Sequence, residues 1–284
     1  MIYFPNAKIN LGLQVIGKRD DGFHELKSLF IPVGWCDVLE VHTVEDGVNG
    51  KLTLTLEGIK IDGDLDSNLV VKAHEIMAGK FELPEIKATL LKNIPTGAGL
   101  GGGSSDGAFM LKAINDLCAI NISDDKLEEF AAELGSDCPF FIKNRPALVT
   151  GRGEILNEPD FNLGHKETSI LIVYPGVGIN TKESFSLFNK NNTESRDLAY
   201  NKLSKTPLNE LKLLIFNSFE EPVKSKVSAI NEVTEFITEL GADYVQMSGS
   251  GSAVFGLFSK NPGKTKWVGE AEKRGWKAYL GAFL

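Results

Sequence analysis

Residues 95 to 108, Pro-Thr-Gly-Ala-Gly-Leu-Gly-Gly-Gly-Ser-Ser-Asp-Gly-Ala, carry the densest chemical signal in this 284-residue chain. Five glycines fall within seven positions, from Gly97 to Gly103, and Ser104, Ser105 and Asp106 follow at once. Glycine lets a backbone take positive φ and come close to a ligand. An ordinary turn needs far fewer glycines, so this density argues for close backbone approach. Ala108, Leu111, Ile114 and Cys118 then recur at helical spacing and make one apolar face. Ser104 or Ser105 is placed to cap that helix, and Asp106 to meet the positive end of its dipole. A glycine loop that opens a capped helix aims several N–H groups at one spot, which is a site for phosphate.

Two familiar phosphate loops do not fit. Gly97, Gly99 and Gly102 satisfy G-x-G-x-x-G, but the dinucleotide fingerprint belongs in the first strand-turn-helix of a βαβ unit, with an acidic strand end downstream. Here the match follows a long β-rich region, and Asp116, the nearest acid, falls inside the next helix. A Walker A loop ends in Gly-Lys-Ser or Gly-Lys-Thr. Gly103-Ser104 stands there instead, without the lysine. The loop is of a third kind, and its cation must come from elsewhere.

Lys8 is the first candidate for that cation. Residues 2 to 16 read as a strand, with Ile9, Leu11, Leu13 and Val15 on one face and Lys8, Asn10 and Gly12 on the other. The plain reading of the second face is a solvated one. Asp20-Asp21-Gly22 forms a turn tip, and Phe23-His24 follows it; either a packed phenylalanine beside a surface histidine, or an aromatic ligand contact, explains that pair. Asp137 precedes Pro139 and suits a helix N-cap, or else serves as a catalytic carboxylate. Ser248-Gly249-Ser250-Gly251-Ser252 is either a hairpin turn or a second glycine loop that supports the first.

Elements must position these groups. Strands are expected over 26–33, 36–43, 51–57 and 86–92, the last delivering the chain to the glycine loop. Asp62 to Asp66 is a polar loop, after which Ser67 caps a helix over 68–79. A helix striped by Leu127, Phe130, Ala131 and Leu134 ends at Gly135. Residues 147–157 read as strand and turn, and Pro159 to Lys166 as a linker. The second half gives a strand over 170–174, a short helix bearing Thr181 and Phe185, and a polar loop over 189–206. Helices near 207–217 and 223–240, strands over 244–247 and 253–258, a helix over 262–274 and a strand over 276–283 complete it. The order β-α-α-β-β-α-β implies a four-stranded antiparallel sheet with helices on one face.

Composition sets outer bounds. Hydrophobic content of 42% with 24% charged residues is that of a globular protein. The net charge of −8 argues against non-specific nucleic-acid or membrane binding, and it requires local donors for any anionic ligand. Three cysteines, at 36, 118 and 138, form neither a pairing set nor a CxxC, which fits a reducing cytoplasm. No signal-peptide pattern and no membrane-spanning apolar stretch is expected, nor any long internal repeat.

Three features stand in one order: an N-terminal strand with a lysine, a central Pro-x-x-x-Gly-Leu-Gly-Gly-Gly-Ser-Ser, and a late Gly-Ser-Gly-Ser before a strand. Together they resemble the GHMP kinases, the superfamily of galactokinase, homoserine kinase and mevalonate kinase. Ala7 to Leu11, Gly17 to Leu26, Gly99 to Asp106 and Gly135 to Phe141 narrow the resemblance to the branch that serves the non-mevalonate route to isoprenoid (terpenoid) precursors. The resemblance implies an α+β fold of two domains. An ATP-binding N-terminal domain, like the second domain of ribosomal protein S5, would cover 1–158. A ferredoxin-like C-terminal domain that binds substrate would cover 159–284.

The resemblance also implies a cytoplasmic ATP-dependent kinase that phosphorylates the 2-hydroxyl of a cytidine-diphosphate ester of methylerythritol, with Mg²⁺ as cofactor. Lys8 and Asp137 match the family's catalytic pair. Pro95, Gly97, Gly99, Leu100, Gly101, Gly102, Gly103, Ser104 and Ser105 match its ATP phosphate loop, and Asn68 and Lys92 match positions near adenine. Asn10, Phe23, His24, Thr181 and Phe185 match positions around the cytidine diphosphate, Phe23 standing where the family commonly has tyrosine. No protein ligand for Mg²⁺ is identified, and a monomer or weak homodimer is expected. Rival readings are a homoserine- or mevalonate-type kinase or decarboxylase, which has no reason to carry Phe23-His24; a non-catalytic ligand sensor, against which Lys8 and Asp137 argue; and a nicotinamide oxidoreductase.

Overall fold

The computed structural model describes every residue except 62, 160–167, 189–197 and 264–266. The chain groups into two compact units, and neither is one continuous stretch. Unit one comprises Met1–Ala7, Trp35–Thr96 and Gly101–Arg145; unit two comprises Lys8–Gly34, Gly97–Leu100 and Pro146–Leu284.

Unit one is a sheet backed by helices. Its strands are β1 (Ile2–Tyr3), β4 (Val38–Thr43), β6 (Ile86–Lys92) and β5 (Leu52–Gly58), in that spatial order. β5 and β6 pair in parallel, so the chain between them must cross over, and it does so through helix α1 (Leu69–Ala78). α1 packs on α2 (Gly102–Leu117) and on α3 (Asp124–Leu134). The α1–α2 approach is close: a Cβ on Gly107 would stand 2.9 Å from Leu69 Cβ. The side-chain period of two decides which residues of β6 face inward. Ile86, Ala88 and Leu90 are buried, and the same alternation carries Lys92 inside with them.

Unit two contains two further four-stranded sheets. One has the order β2 (Asn6–Lys18), β3 (His24–Cys36), β7 (Ala147–Thr150), β8 (Ile155–Asn157). The other has the order β10 (Tyr244–Met247), β11 (Val254–Phe258), β9 (Ser169–Tyr174), β12 (Lys277–Gly281), every pair antiparallel, as its sequence pattern implied. Helix α7 (Ala229–Glu239) packs on β9, β10 and β11 with Ile230, Val233 and Ile237 fully buried. Leu13 and Val15 of β2 join the same core as Leu171, Val173, Phe219 and Val254.

Several elements differ from the sequence expectation. Pro5 has no amide hydrogen to donate, and the first strand breaks there into β1 and β2. The cap of α1 is Asn68, whose side chain accepts from the Val70 amide, rather than Ser67. The helix expected over 223–240 is two, α6 (Glu220–Lys226) and α7, parted at Val227 and Ser228. Residues 200–205 and 208–213 form 3-10 turns rather than loop and α-helix. The last helix, α8, is described over Val268–Lys273. The linker expected at 159–166 and much of the loop at 189–206 lie outside the described residues.

Candidate active site

The glycine loop takes a regular form. Gly97, Gly99 and Gly101 alternate at φ of 64°, 75° and 70°, which side-chain-bearing residues rarely adopt. Gly101 is the N-cap of α2, in the left-handed region and with no side-chain hydrogen bond. Ser104 and Ser105 therefore do not cap the helix as their residue types suggested; both lie inside its first turn. A left-handed glycine turns the chain into the helix unaided, and the first amides of α2 keep no intrahelical acceptor. A 16-residue helix adds the positive end of its dipole at that point. The Ser105 hydroxyl is buried there without a hydrogen-bond partner. Gly103 is exposed, and a Cβ built on it meets nothing within 4 Å.

Beside this helix start, unit one holds a cavity of about 250 Å³. Leu56, Ile61, Leu65 and Leu69 give it apolar walls, while Asn68, Lys92, Thr96 and Gly103 give it polar ones. Asn68 and Lys92, which the resemblance places near an adenine, are thus brought to one cavity. Lys92 is fully buried and forms ion pairs with Asp37 and, at 2.7 Å, with Asp106. Asp106 accordingly faces Lys92 and not the open end of the helix dipole, because its side chain is buried in the second turn of α2. Burial lowers the pKa of the Lys92 ammonium, but Asp106 and Asp37 outweigh it, and the net shift is upward.

Asp137 is not the N-cap of the next helix. That helix, α4 (Phe140–Lys143), is one turn long and begins after Pro139. The adjoining Cys138 thiol is pushed up to about 12, chiefly by burial, and a hydrogen bond with Ser104 opposes that rise. The turn that carries Asp137 is thereby fastened to the first turn of α2.

Unit two assembles the second group. Lys8 and Asn10 are 3% and 1% exposed, so the polar face of β2 is buried and not solvated. The Lys8 ammonium donates to Asn10 Oδ1 and stands 4.3 Å above the centre of the Phe30 ring. Asn10 Nδ2 donates to Ser28 Oγ at 2.9 Å, and Ser28 in turn donates to the Gly12 carbonyl at 2.7 Å. The sequence reading had missed Ser28; a buried asparagine on a strand, which needs a neighbour-strand partner, was the available signal. The Lys8 amide donates to the Leu100 carbonyl at 2.9 Å, which ties the lysine-bearing strand to the loop.

Both readings of Ser248–Ser252 hold. The segment closes the β10–β11 hairpin, where Met247 pairs with Val254. It also supports the glycine loop: Ser248 Oγ donates to the Gly99 carbonyl at 3.0 Å, and the Ala253 amide to the Ala98 carbonyl at 3.0 Å.

The aromatic cluster differs in detail from expectation. Thr181 begins α5 (Thr181–Leu187), and its hydroxyl lies 3.2 Å from that of Ser250. Phe185 stacks on His24, with centroids 4.8 Å apart and planes at 24°, and meets Phe219 edge-on. Phe23 and Phe185 are therefore not two open faces: His24 covers one side of Phe185. Phe23 is 54% exposed, with the Arg152 guanidinium 4.9 Å from its ring centre. Among the described residues, no group of three His, Cys, Asp or Glu is placed to hold a metal ion.

Comparison with known proteins shows the family. Residues 68–145 match the family described as GHMP kinases N terminal domain, and residues 187–267 match GHMP kinases C terminal. A Bacteroides fragilis protein named 4-diphosphocytidyl-2-C-methyl-D-erythritol kinase is 43% identical over 95% of this chain and 97% of its own. A Bacteroides thetaiotaomicron protein of the same name is 44% identical over 91% of this chain and 92% of its own. A crystal structure of 4-(cytidine 5'-diphospho)-2C-methyl-D-erythritol kinase superposes with a TM-score of 0.78 at 30% identity, covering 100% of this chain and 99% of the other. Homoserine kinase from Cytophaga hutchinsonii, at 17% identity and a TM-score of 0.67, shares the fold over 98% of this chain and 94% of its own.

Proposed function

Because this chain belongs to the GHMP kinases, and among them to the 4-diphosphocytidyl-2-C-methyl-D-erythritol kinases, we propose that it phosphorylates the 2-hydroxyl of 4-diphosphocytidyl-2-C-methyl-D-erythritol with ATP. The observation that carries the reading is the Gly101-capped start of α2, whose free amides suit a polyphosphate. The adenine fits the apolar cavity that Asn68 and Lys92 border. Pro95, Gly97 to Gly103, Ser104 and Ser105 form the loop under the phosphates. Residues 1–158 then serve as the ATP-binding domain and 159–284 as the C-terminal substrate domain; the two family matches fall on either side of that boundary.

Phosphoryl transfer passes through a loose transition state, so positioning and charge neutralisation dominate catalysis. The bond between the γ-phosphorus and its bridging oxygen breaks, the acceptor oxygen takes that phosphorus, and ADP leaves. Lys8, held by Asn10 and the Phe30 ring, neutralises charge on the group in transit. Asp137 orients the acceptor hydroxyl and takes its proton late. Mg²⁺ when bound supplies further neutralisation. The loop's donors are N–H groups and would not compete for that ion, which phosphate oxygens and water would hold.

Asn10, Phe23, His24, Thr181 and Phe185 receive the cytidine diphosphate. Phe23 is exposed and offers the ring face away from Arg152 for stacking, and His24, backed by Phe185, offers a second plane with polar ring nitrogens. The cysteines at 36, 118 and 138 form no disulfide with one another, which suits a reducing cytoplasm, where the enzyme would act on a small molecule as a monomer or weak dimer. The test is ADP release over a panel of acceptors. The expected result is turnover with the cytidine diphosphate ester and little with methylerythritol phosphate, mevalonate or homoserine. Equal use of mevalonate overturns the acceptor assignment, and absence of ADP release with every acceptor overturns the kinase reading in favour of a ligand sensor.

A further inference from the structure

Buried beneath the N-terminus of α2 are three charged side chains, two carboxylates and one ammonium. Lys92 Nζ pairs with Asp37 Oδ2 and Asp106 Oδ2, and the three side chains are at most 3% exposed. A Cβ on Gly102, the first residue of α2, would lie 3.4 Å from Lys92 Nζ, so the ammonium sits directly under the helix start. The two carboxylates are not equivalent. Asp37 is saturated: Oδ1 accepts from the Asn93 and Ile94 amides at 2.5 and 2.8 Å, and Oδ2 accepts from Lys92. Asp106 accepts from Lys92 through Oδ2 alone, and its Oδ1 is buried with no hydrogen-bond partner.

We propose that Asp37 and Asp106 are positioning residues for the donor nucleotide, holding the Lys92 ammonium under the α2 N-terminus in a charge-neutral cluster in which Asp106 is the protonated member. An ionised carboxylate with a buried, unsatisfied oxygen is costly, whereas Asp37 has every donor an anion needs. Two ionised carboxylates against one ammonium would also leave a net negative charge beneath a site that must accept phosphates. Lys92 and Asp37 are the charged groups that face Asp106; burial raises its pKa well above the ordinary range, Lys92 opposes that and Asp37 adds to it. The proton has an acceptor, since Asp37 lies within hydrogen-bond reach of Asp106. Asp37 additionally ties the start of β4 to the residues that lead into the glycine loop, by accepting from the Asn93 and Ile94 amides.

The nucleotide-positioning half of this inference rests on ATP lying over α2; the protonation half does not. In infrared difference spectra between Asp106→Asn and the wild-type enzyme at neutral pH, a protonated-carboxyl band should be present in the wild type and lost in the variant. Asp106→Asn, which keeps the shape and the neutrality of a protonated acid, should raise the ATP KM far less than Asp37→Asn does and keep the Tm, whereas Asp106→Ala should lower the Tm. Asp37→Asn should raise the ATP KM by about tenfold or more while leaving the acceptor KM unchanged. Absence of the band, or an Asp106→Asn enzyme as impaired as Asp37→Asn, overturns the protonated assignment. Equal rises of both KM values in Asp37→Asn, or no change in either, overturn the positioning role. If Asp37→Asn does not fold, the Asp106 variants and the band decide.

Discussion

The chain contains two short glycine loops, and they use glycine for opposite ends. In the segment 248–252, glycine serves packing. Gly249 and Gly251 take φ of 57° and 90° to close a hairpin, and a Cβ on Gly251 would press on Met247 Sδ at 2.8 Å. In the segment 97–103, the use changes along the loop. Gly99 is packed: a Cβ there would overlap the Ser248 carbonyl oxygen and crowd that of Gly251 at 3.1 Å. Gly103, four residues on, meets nothing. A glycine packed against backbone is a structural requirement, whereas an exposed helical glycine with open space is a loss of stability that some other role must offset.

That contrast can be broken at specific positions. Gly99→Ala should have the largest effect, about 3 kcal/mol of stability or more in denaturant unfolding, because positive φ and a backbone overlap penalise it together. A variant of wild-type stability would show that the second loop does not brace the first. Asp137→Asn probes the chemistry without disturbing either loop: kcat should fall by about a hundredfold with Tm and ATP KM almost unchanged. Near-normal turnover would remove Asp137 from catalysis.

Gly103→Ala sharpens the comparison, since stability and function should move in opposite directions. The helix should gain about 0.5–1 kcal/mol, while the ATP KM rises by about tenfold as the methyl group takes phosphate space. A more stable variant with unchanged ATP KM would place the phosphates elsewhere. Ser248→Ala should have the smallest effect. It removes the hydroxyl that donates to Gly99 and accepts from the Asn10 amide at 3.3 Å, at a cost of about 1 kcal/mol. A change in ATP KM larger than that free energy would mean that Ser248 touches ligand as well as loop.

Much of this was legible in the chain itself. Glycine density followed by a helical stripe located the positive-φ turn that opens α2, because no other residue reaches those φ values cheaply. Apolar periodicity gave the strands of both halves and the antiparallel C-terminal sheet, since a period of two is a local property. Tertiary structure decided what local pattern leaves open. The alternation of β2 placed Lys8 and Asn10 on one face, but only packing buried that face. The serines that should cap α2 were superseded by Gly101, because a left-handed turn into the helix needs no side-chain cap. Asp106 read as a dipole partner until the inward face of β6 brought Lys92 to it across fourteen residues of chain. His24 and Phe185 are far apart in sequence, and their stack exists only because β3 and α5 meet. Spacing along a chain specifies which face a side chain takes; which charge, ring or backbone group it meets there depends on contacts that the spacing does not encode.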